Sequence, residues 1–425
     1  MSKSKSQITR RQALVTVGAA ASLVAMPHIV RAADAKLKIG ALLPLTGDLA
    51  LWGVPGKIGA EVWAARTNKA GGIAINGTRH EVEIVSFDGA YVAEKTVQGG
   101  RAFVDQEVAY TMVIGGDDWS ALQDFSNRNK LLTSTLYVTD LNPDAKYLLA
   151  PVEVHPLYFG CGAEYLRKVE PDVKTVALCA QDDLTGRVAL AYWRAGFDAH
   201  DFEIVKDEYF DAATTDFAPV VSSLLASKPQ AVCLDTAYPS FALLLVEQLY
   251  LQGFKGRILH AGLELLPDMV KRTSVEFMEG AITFFPRFDD PNIGKFAPGF
   301  PDPAGFYADV EKTSPGGWNN TTWEFAACCE VWKRAVETAN TTEPDALLAS
   351  VRANPPTHMY GPATWWGQDL FGSNNALVGS WPIVEVKSGK VDIVELGDQA
   401  AWYDKHKDLV VKRFREENLM PDQKK

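Results

Sequence analysis

The chain has 425 residues, 47% of them hydrophobic and 22% charged, with a formal net charge of −11. That is enough apolar content for more than one core. The acidic balance, with no basic cluster beyond the N-terminus, argues against a nucleic-acid partner.

Residues 1–33 differ from the rest. Ser2 to Arg11 is polar and basic, Thr9-Arg10-Arg11 precedes an apolar run from Ala13 to Met26, and Val30-Arg31-Ala32-Ala33 follows. The run is shorter than the roughly 18 residues a membrane span needs. It predicts an export signal of the twin-arginine type, cut after Ala32 or Ala33, and a periplasmic mature chain. No later stretch is long and apolar enough to span a membrane. The five cysteines, at positions 161, 179, 233, 328 and 329, lie in apolar runs without metal-ligand spacing and read as buried small hydrophobes. One disulfide stays open for such a compartment, with no pair favoured.

Leu37 to Gly72 predicts a strand, a Gly/Pro-bearing loop and a helix ended by Gly71-Gly72. Trp52 lies in that loop and is taken as one wall of a binding site, since ligands of open α/β sheets bind at the carboxyl ends of strands. Strands follow at His80–Asp88, Ala109–Ile114 and Leu131–Leu136, alternating with helices at Ala93–Gln106 and up to Asn129. A second alternating series runs from Val154: helices at Tyr158–Val169, Leu184–Ala199, Phe217–Ala226 and Ser240–Gln252, and strands at Thr175–Cys179, Ile204–Tyr209, Ala231–Leu234, Arg257–His260 and Gly280–Phe285. Alternation of this kind means parallel sheets with right-handed crossovers. Two series of similar length predict an α/β fold of two doubly wound parallel-sheet domains around a cleft. Phe288–Pro303 is expected as a loop. Helices follow at Asn320–Ala339 and Pro344–Ala353, then a β-hairpin about Lys387–Lys390 and a charged amphipathic tail helix from Ala401 to Glu417.

Several chemistries lack their signatures. Gly53-Val54-Pro55-Gly56-Lys57 lacks the glycine spacing and the following Ser/Thr of a phosphate loop, and no strand leads into G-x-G-x-x-G. There is no H-E-x-x-H, C-x-x-C or G-x-S-x-G. The histidines are scattered, and His260 at a strand end is expected to be structural. Neither cofactor nor metal is expected, and no enzyme activity.

The stretch Ile39–Gly53, then Gly59-Ala60-Glu61 and Asn68-Lys69-Ala70-Gly71-Gly72-Ile73, resembles the start of the type I periplasmic solute-binding proteins of ABC importers, the branched-chain amino-acid family. Val113-Ile114-Gly115-Gly116, Thr215-Asp216-Phe217, Leu249–Phe254, and Tyr360–Trp365 followed by Gly372 extend the resemblance over the mature chain. It implies three crossings between the domains, with 34–153 and 286–360 forming one and 154–285 and 361–425 the other. It implies a small organic solute gripped by hinge closure and delivered to an inner-membrane ABC permease. The rival readings are a ligand sensor of the same fold and, from another class, an exported α/β hydrolase using Asp117 or Asp118.

The resemblance also implies site residues. Trp52 matches a pocket aromatic, with core packing as the alternative. The family's carboxylate-holding hydroxyl falls on Trp119, with Ser120 next and Asp117 and Asp118 before it, a departure that would repel an anionic ligand; helix capping is the other reading of the two acids. Tyr137 falls near a second hydroxyl-bearing loop, Tyr238 near a strand-end aromatic, and Glu264 near the acid that meets an ammonium group. Asp182 and Asp183 face the same cleft. Asn319 and Asn320 fall at another pocket position or at a helix N-cap. So aromatic and acidic a set points away from an aliphatic amino acid, toward an aromatic, cationic or amide-bearing solute.

Overall fold

The structure, a computed structural model, describes residues 36–236 and 238–423. The expected export signal, residues 1–33, lies outside the described residues. Leu37–Leu43 (β1) is buried on both faces from Ile39 onward and pairs in parallel with a strand on each side, as a strand covered by helices on both faces should. A small hairpin follows, Ile73–Ile75 (β2) and Thr78–His80 (β3), closed by Asn76-Gly77 with φ of 49° and 76°. Both turn residues have positive φ, which is why Asn-Gly serves there. The single strand expected over His80–Asp88 is therefore the end of this hairpin plus Val82–Asp88 (β4). With Tyr110–Met112 (β5), Thr133–Ser134 (β6) and Leu148–Leu149 (β7), the first sheet is parallel in the order β4-β1-β5-β6-β7.

The second sheet contains Thr175–Gln181 (β8), Glu203–Phe210 (β9), Ala231–Asp235 (β10), Arg257–His260 (β11) and Ile282–Thr283 (β12), in the parallel order β9-β8-β10-β11-β12. Antiparallel strands complete it: Ala363–Trp366 (β13), Ala376–Lys387 (β14) and Lys390–Asp398 (β15), with β14 pairing β12, β13 and β15. Each parallel order reverses beside its first strand, between β1 and β5 and between β8 and β10. Ligand crevices form at the carboxyl ends of strands at such switch points.

The fold is thus the expected α/β pair of doubly wound domains. The chain passes from the first sheet to the second after β7, returns after β12 to the helix Asn320–Ala339, which packs against the first domain, and crosses again before β13. The crossings are bonded to their surroundings. His358 Nε2 lies 2.9 Å from the Val152 carbonyl, Trp381 Nε1 donates to the Phe284 carbonyl at 2.7 Å, and the Ile393 N–H donates to Asp290 at 2.9 Å. The stretch expected as loop over Phe288–Pro303 contains a short helix, Ile293–Phe296, and leads into Pro303–Thr313. All five cysteines are buried and free. No helix among the described residues is long and apolar enough to cross a membrane.

The first helix departs most usefully from its expected form. It runs Ala50–Lys69, taking in Trp52, Gly53, Pro55 and Gly56, which the pattern assigned to a loop. Pro55 has no N–H to give the Leu51 carbonyl one turn back. That carbonyl instead accepts from Asn319 Nδ2 at 3.0 Å, and the neighbouring Trp52 carbonyl accepts from Thr321 Oγ1 at 2.8 Å. Two helix starts, Ala50 and Asn320, are thereby tied together. Glycine allows the close approach: a Cβ at Gly56 would stand 2.3 Å from the Phe325 ring and one at Gly59 1.7 Å from the Thr322 carbonyl oxygen. Gly59→Ala should force these helices apart and cost about 1–3 kcal/mol, read as a lower urea midpoint at unchanged slope. An unchanged midpoint would mean that the pair has slack.

Candidate functional site

At the carboxyl ends of both sets of switch-point strands, between the domains, lies a narrow cavity of about 50 Å³. On the first-domain side Trp52, Ile114, Leu136 and Tyr137 line it, with Asn320 and Glu324 from the helix Asn320–Ala339. The crossings supply Glu153, His155, Tyr158 and Phe285, and the second domain supplies Thr185, Asp235, Thr236 and Ala261. A larger groove of about 560 Å³ runs past Phe285–Arg287, Trp318–Asn320 and the turn Gly389–Asp392. No residue ending β1, β5, β8 or β10 lines that groove, so the smaller cavity better fits a site at the switch points.

Asn320 and Glu324 stand four residues apart and so share one face of their helix. Asn319 caps that helix, accepting from the Thr321 N–H at 3.0 Å, while its own N–H donates to Thr322 Oγ1. Position 319 therefore takes the capping role and position 320 the cavity. Glu324 is fully buried and neither carboxylate oxygen has a hydrogen-bond partner; Asn320 Oδ1 has none either. Burial, then the charges of Glu153 and Glu264, hold the Glu324 carboxyl well above the usual carboxylate range. Glu153 is pushed up to about 7, chiefly by burial, although His155 and the Tyr158 hydroxyl oppose this. That hydroxyl donates to Glu153 Oε1 at 3.2 Å. Opposite them, His155 Nε2 lies 2.9 Å from Asp235 Oδ1, both side chains nearly buried. Burial alone would lower His155, but the Asp235 carboxylate outweighs it, and the imidazole is raised above its ordinary value. No lysine or arginine lines the cavity.

The expected site residues separate into two groups. Trp52, Tyr137 and Asn320 line the cavity. The others stand off its wall. Asp117 is exposed, and its backbone N–H donates to the Tyr91 hydroxyl at 3.2 Å. Asp118 is buried, accepts from Thr96 Oγ1 at 2.7 Å, and is pushed up to about 6 by burial. Trp119 is core, its Nε1 donating to Gln123 at 3.1 Å, and Ser120 is exposed. Asp182 is exposed and paired with Arg187 at 2.8 Å; Asp183 caps the helix Leu184–Ala199. Tyr238 packs on Phe241 with ring centres 5.0 Å apart. Glu264 lines the larger groove; it keeps some exposure there, yet burial pushes its carboxyl up to about 7. His260 is buried; its Nδ1 accepts the Gly262 N–H at 3.1 Å, while its Nε2 has no hydrogen-bond partner.

Glu153, His155, Tyr158, Asp235, Phe285 and Glu324 were not singled out by the sequence. Glu324 had a visible signal: a carboxylate between Trp323 and Phe325 in an apolar helical run needs an explanation. Glu153 and His155 gave none, because what matters about them is their place at a crossing.

The sequence profile of the family described as periplasmic binding protein matches residues 36–390. Solved structures share the fold. An ABC transporter substrate-binding protein from Sphaerobacter thermophilus superposes with a TM-score of 0.70 at 17% identity, over 86% of this chain and 98% of its own. A solute-binding protein from R. palustris, in complex with 4-hydroxybenzoate, gives 0.69 at 18%, over 86% and 98%. A leucine-binding protein from Thermotoga maritima gives 0.65 at 18%, over 86% and 99%. No curated protein matches the sequence significantly.

Proposed function

The chain belongs to the periplasmic binding protein family, and from that premise we propose that it is the extracytoplasmic solute-binding component of an ABC importer. The observation that carries this is the cavity between the domains, walled by both and by the crossings. A solute there touches both domains at once, so its binding free energy favours the closed arrangement. The closing bodies are 34–153 with 286–360 and 154–285 with 361–425. The solute is small and organic, lies against Trp52 and Tyr137, and leaves chemically unchanged for an inner-membrane permease. The structural relatives, one in complex with 4-hydroxybenzoate and one a leucine-binding protein, support a site for one small organic molecule.

Mass spectrometry of the solute retained through purification, with small-angle scattering before and after its removal, tests this. Stripping should open the protein and enlarge its radius of gyration; re-addition should reverse both. Chemical turnover of the retained solute, or a radius indifferent to it, would overturn the proposal. Trp52→Ala should weaken retention by about 1–3 kcal/mol, the worth of a buried aromatic contact, read by calorimetry. Unchanged affinity would take Trp52 out of the site.

A further inference from the structure

The acidic groups on the cavity wall outnumber the basic ones. Three carboxyls, Glu153, Asp235 and Glu324, face one imidazole, His155, which is already bonded to Asp235. That leaves Glu153 and Glu324. Glu324 has both oxygens unpartnered at full burial, and Asn320 Oδ1 beside it on the same helix face is likewise unpartnered. Buried polar groups without partners are costly, and a carboxyl and an amide oxygen left so on one cavity wall call for a ligand that supplies donors. The matching place for an anion is closed from within. At the start of the helix Asp117–Asn129 the Gly116 N–H donates to Asp140 at 2.9 Å and the Asp117 N–H to the Tyr91 hydroxyl. Thr135 Oγ1 donates to Asp140 as well. A bound carboxylate would find those donors spent and no arginine or lysine on the wall.

Resting on the solute-binding reading above, we propose that the solute is a small organic cation whose N–H donors meet Glu324, Glu153 and the Asn320 carbonyl oxygen. Its body lies among Trp52, Tyr137 and Phe285, rings whose faces attract cations.

Three compounds of nearly one shape and different charge test this: benzamidinium, neutral benzamide and anionic benzoate. Guanidinium, putrescine and leucine complete the panel, on the mature chain stripped of solute, by thermal melting and calorimetry. One or more of the cations should raise the melting temperature, with benzamide weaker than benzamidinium and no response to benzoate or leucine. Glu324→Gln should weaken the binding cation by about 30-fold or more without lowering the melting temperature of the empty protein; Glu153→Gln gives a second reading if the first variant folds poorly. Stabilisation by benzoate or leucine but by no cation would overturn the charge assignment and leave the solute-binding proposal standing. So would silence across the panel while a purified solute still closes the protein. A cation that binds without changing the radius of gyration would uphold the charge assignment and overturn hinge gripping.

Discussion

Empty protein carrying Glu324→Gln should be more stable than the wild type, and its advantage should widen by about 1.4 kcal/mol for each pH unit above about 4.5. The sign follows from where the proton sits. In the unfolded chain Glu324 ionises near 4.5; in the folded chain burial and the neighbouring Glu153 and Glu264 hold its carboxyl well above that. Between those two values the folded state keeps a proton that the unfolded state has lost, so stability falls as pH rises. Below the unfolded value both states are protonated and nothing is gained or lost. Glutamine has no proton to lose and removes this slope. Urea unfolding of both variants at pH 5, 6 and 7 measures it. The difference between variants is the useful quantity, because other buried groups bend the whole profile. Asp140, Glu153 and Glu264, each near 7, add to the fall, whereas His260 and His358, held near 4 by burial, oppose it up to about 6.5. A constant difference across pH would show that Glu324 is ionised in the folded cavity or reaches water.

This instability of the empty site bears on function. If the slope is found, a carboxyl that weakens the empty protein as it ionises and has no hydrogen-bond partner there has no structural role that glutamine could not fill. A bound cation would let Glu324 ionise at little cost and return the lost stability through mass action. The donors at Gly116 and Thr135, already taken by Asp140, make the same point from the other side. Asp140 stands where a ligand anion would otherwise meet the helix N-terminus, and it is fixed by Thr135 and the Gly116 N–H.

Much of the fold was legible because strand and helix periods are local properties. Tyr158–Val169, Leu184–Ala199, Asn320–Ala339 and Pro344–Ala353 form where the apolar spacing puts them. The first helix was misread at its start because Gly53, Pro55 and Gly56 are turn residues by local rule. Only a second helix 268 residues away, through Asn319 and the Leu51 carbonyl, makes them helical. The site was legible to the same limited degree. Trp52, Tyr137 and Asn320 sit at chain positions that strand ends and helix starts define, and they line the cavity. Asp117 and Asp118 attract attention as adjacent acids after a strand, but a helix start turns successive side chains about 100° apart. One points to solvent and the other toward Thr96. Glu153 and Glu324 meet only because a crossing passes a helix that begins some 170 residues later, which no local pattern encodes.

Asp235→Ala should cost about 3–5 kcal/mol at pH 6, because it strips the partner from a buried imidazolium, and the cost should shrink as pH rises through the raised value of His155. In the wild type His155 is raised above its ordinary value by Asp235. The stability it contributes is fully present below about 6.5 and is lost as pH climbs through the folded value. Without Asp235, burial dominates and the ring is neutral at pH 8, leaving no unpaired charge to bury. Asp235→Asn separates the two parts of the effect. The amide oxygen can still accept from Nε2, so part of the stability returns while the pH dependence flattens. Denaturant unfolding at pH 6 and 8 distinguishes the three proteins, and equal losses at both values would show that His155 is neutral in the wild type. The same variant divides the cavity's charges by role. Where His155 is protonated beside Asp235 and neutral without it, Asp235→Ala removes one negative and one positive charge together, so the net charge that a cationic solute meets is unchanged and its affinity should hold within about threefold. Glu324→Gln removes the negative charge that Glu324 would take on when the cation binds, with nothing to offset it. If both variants lost the cation equally, the Asp235–His155 pair would itself be a direct ligand contact rather than a neutral part of the wall.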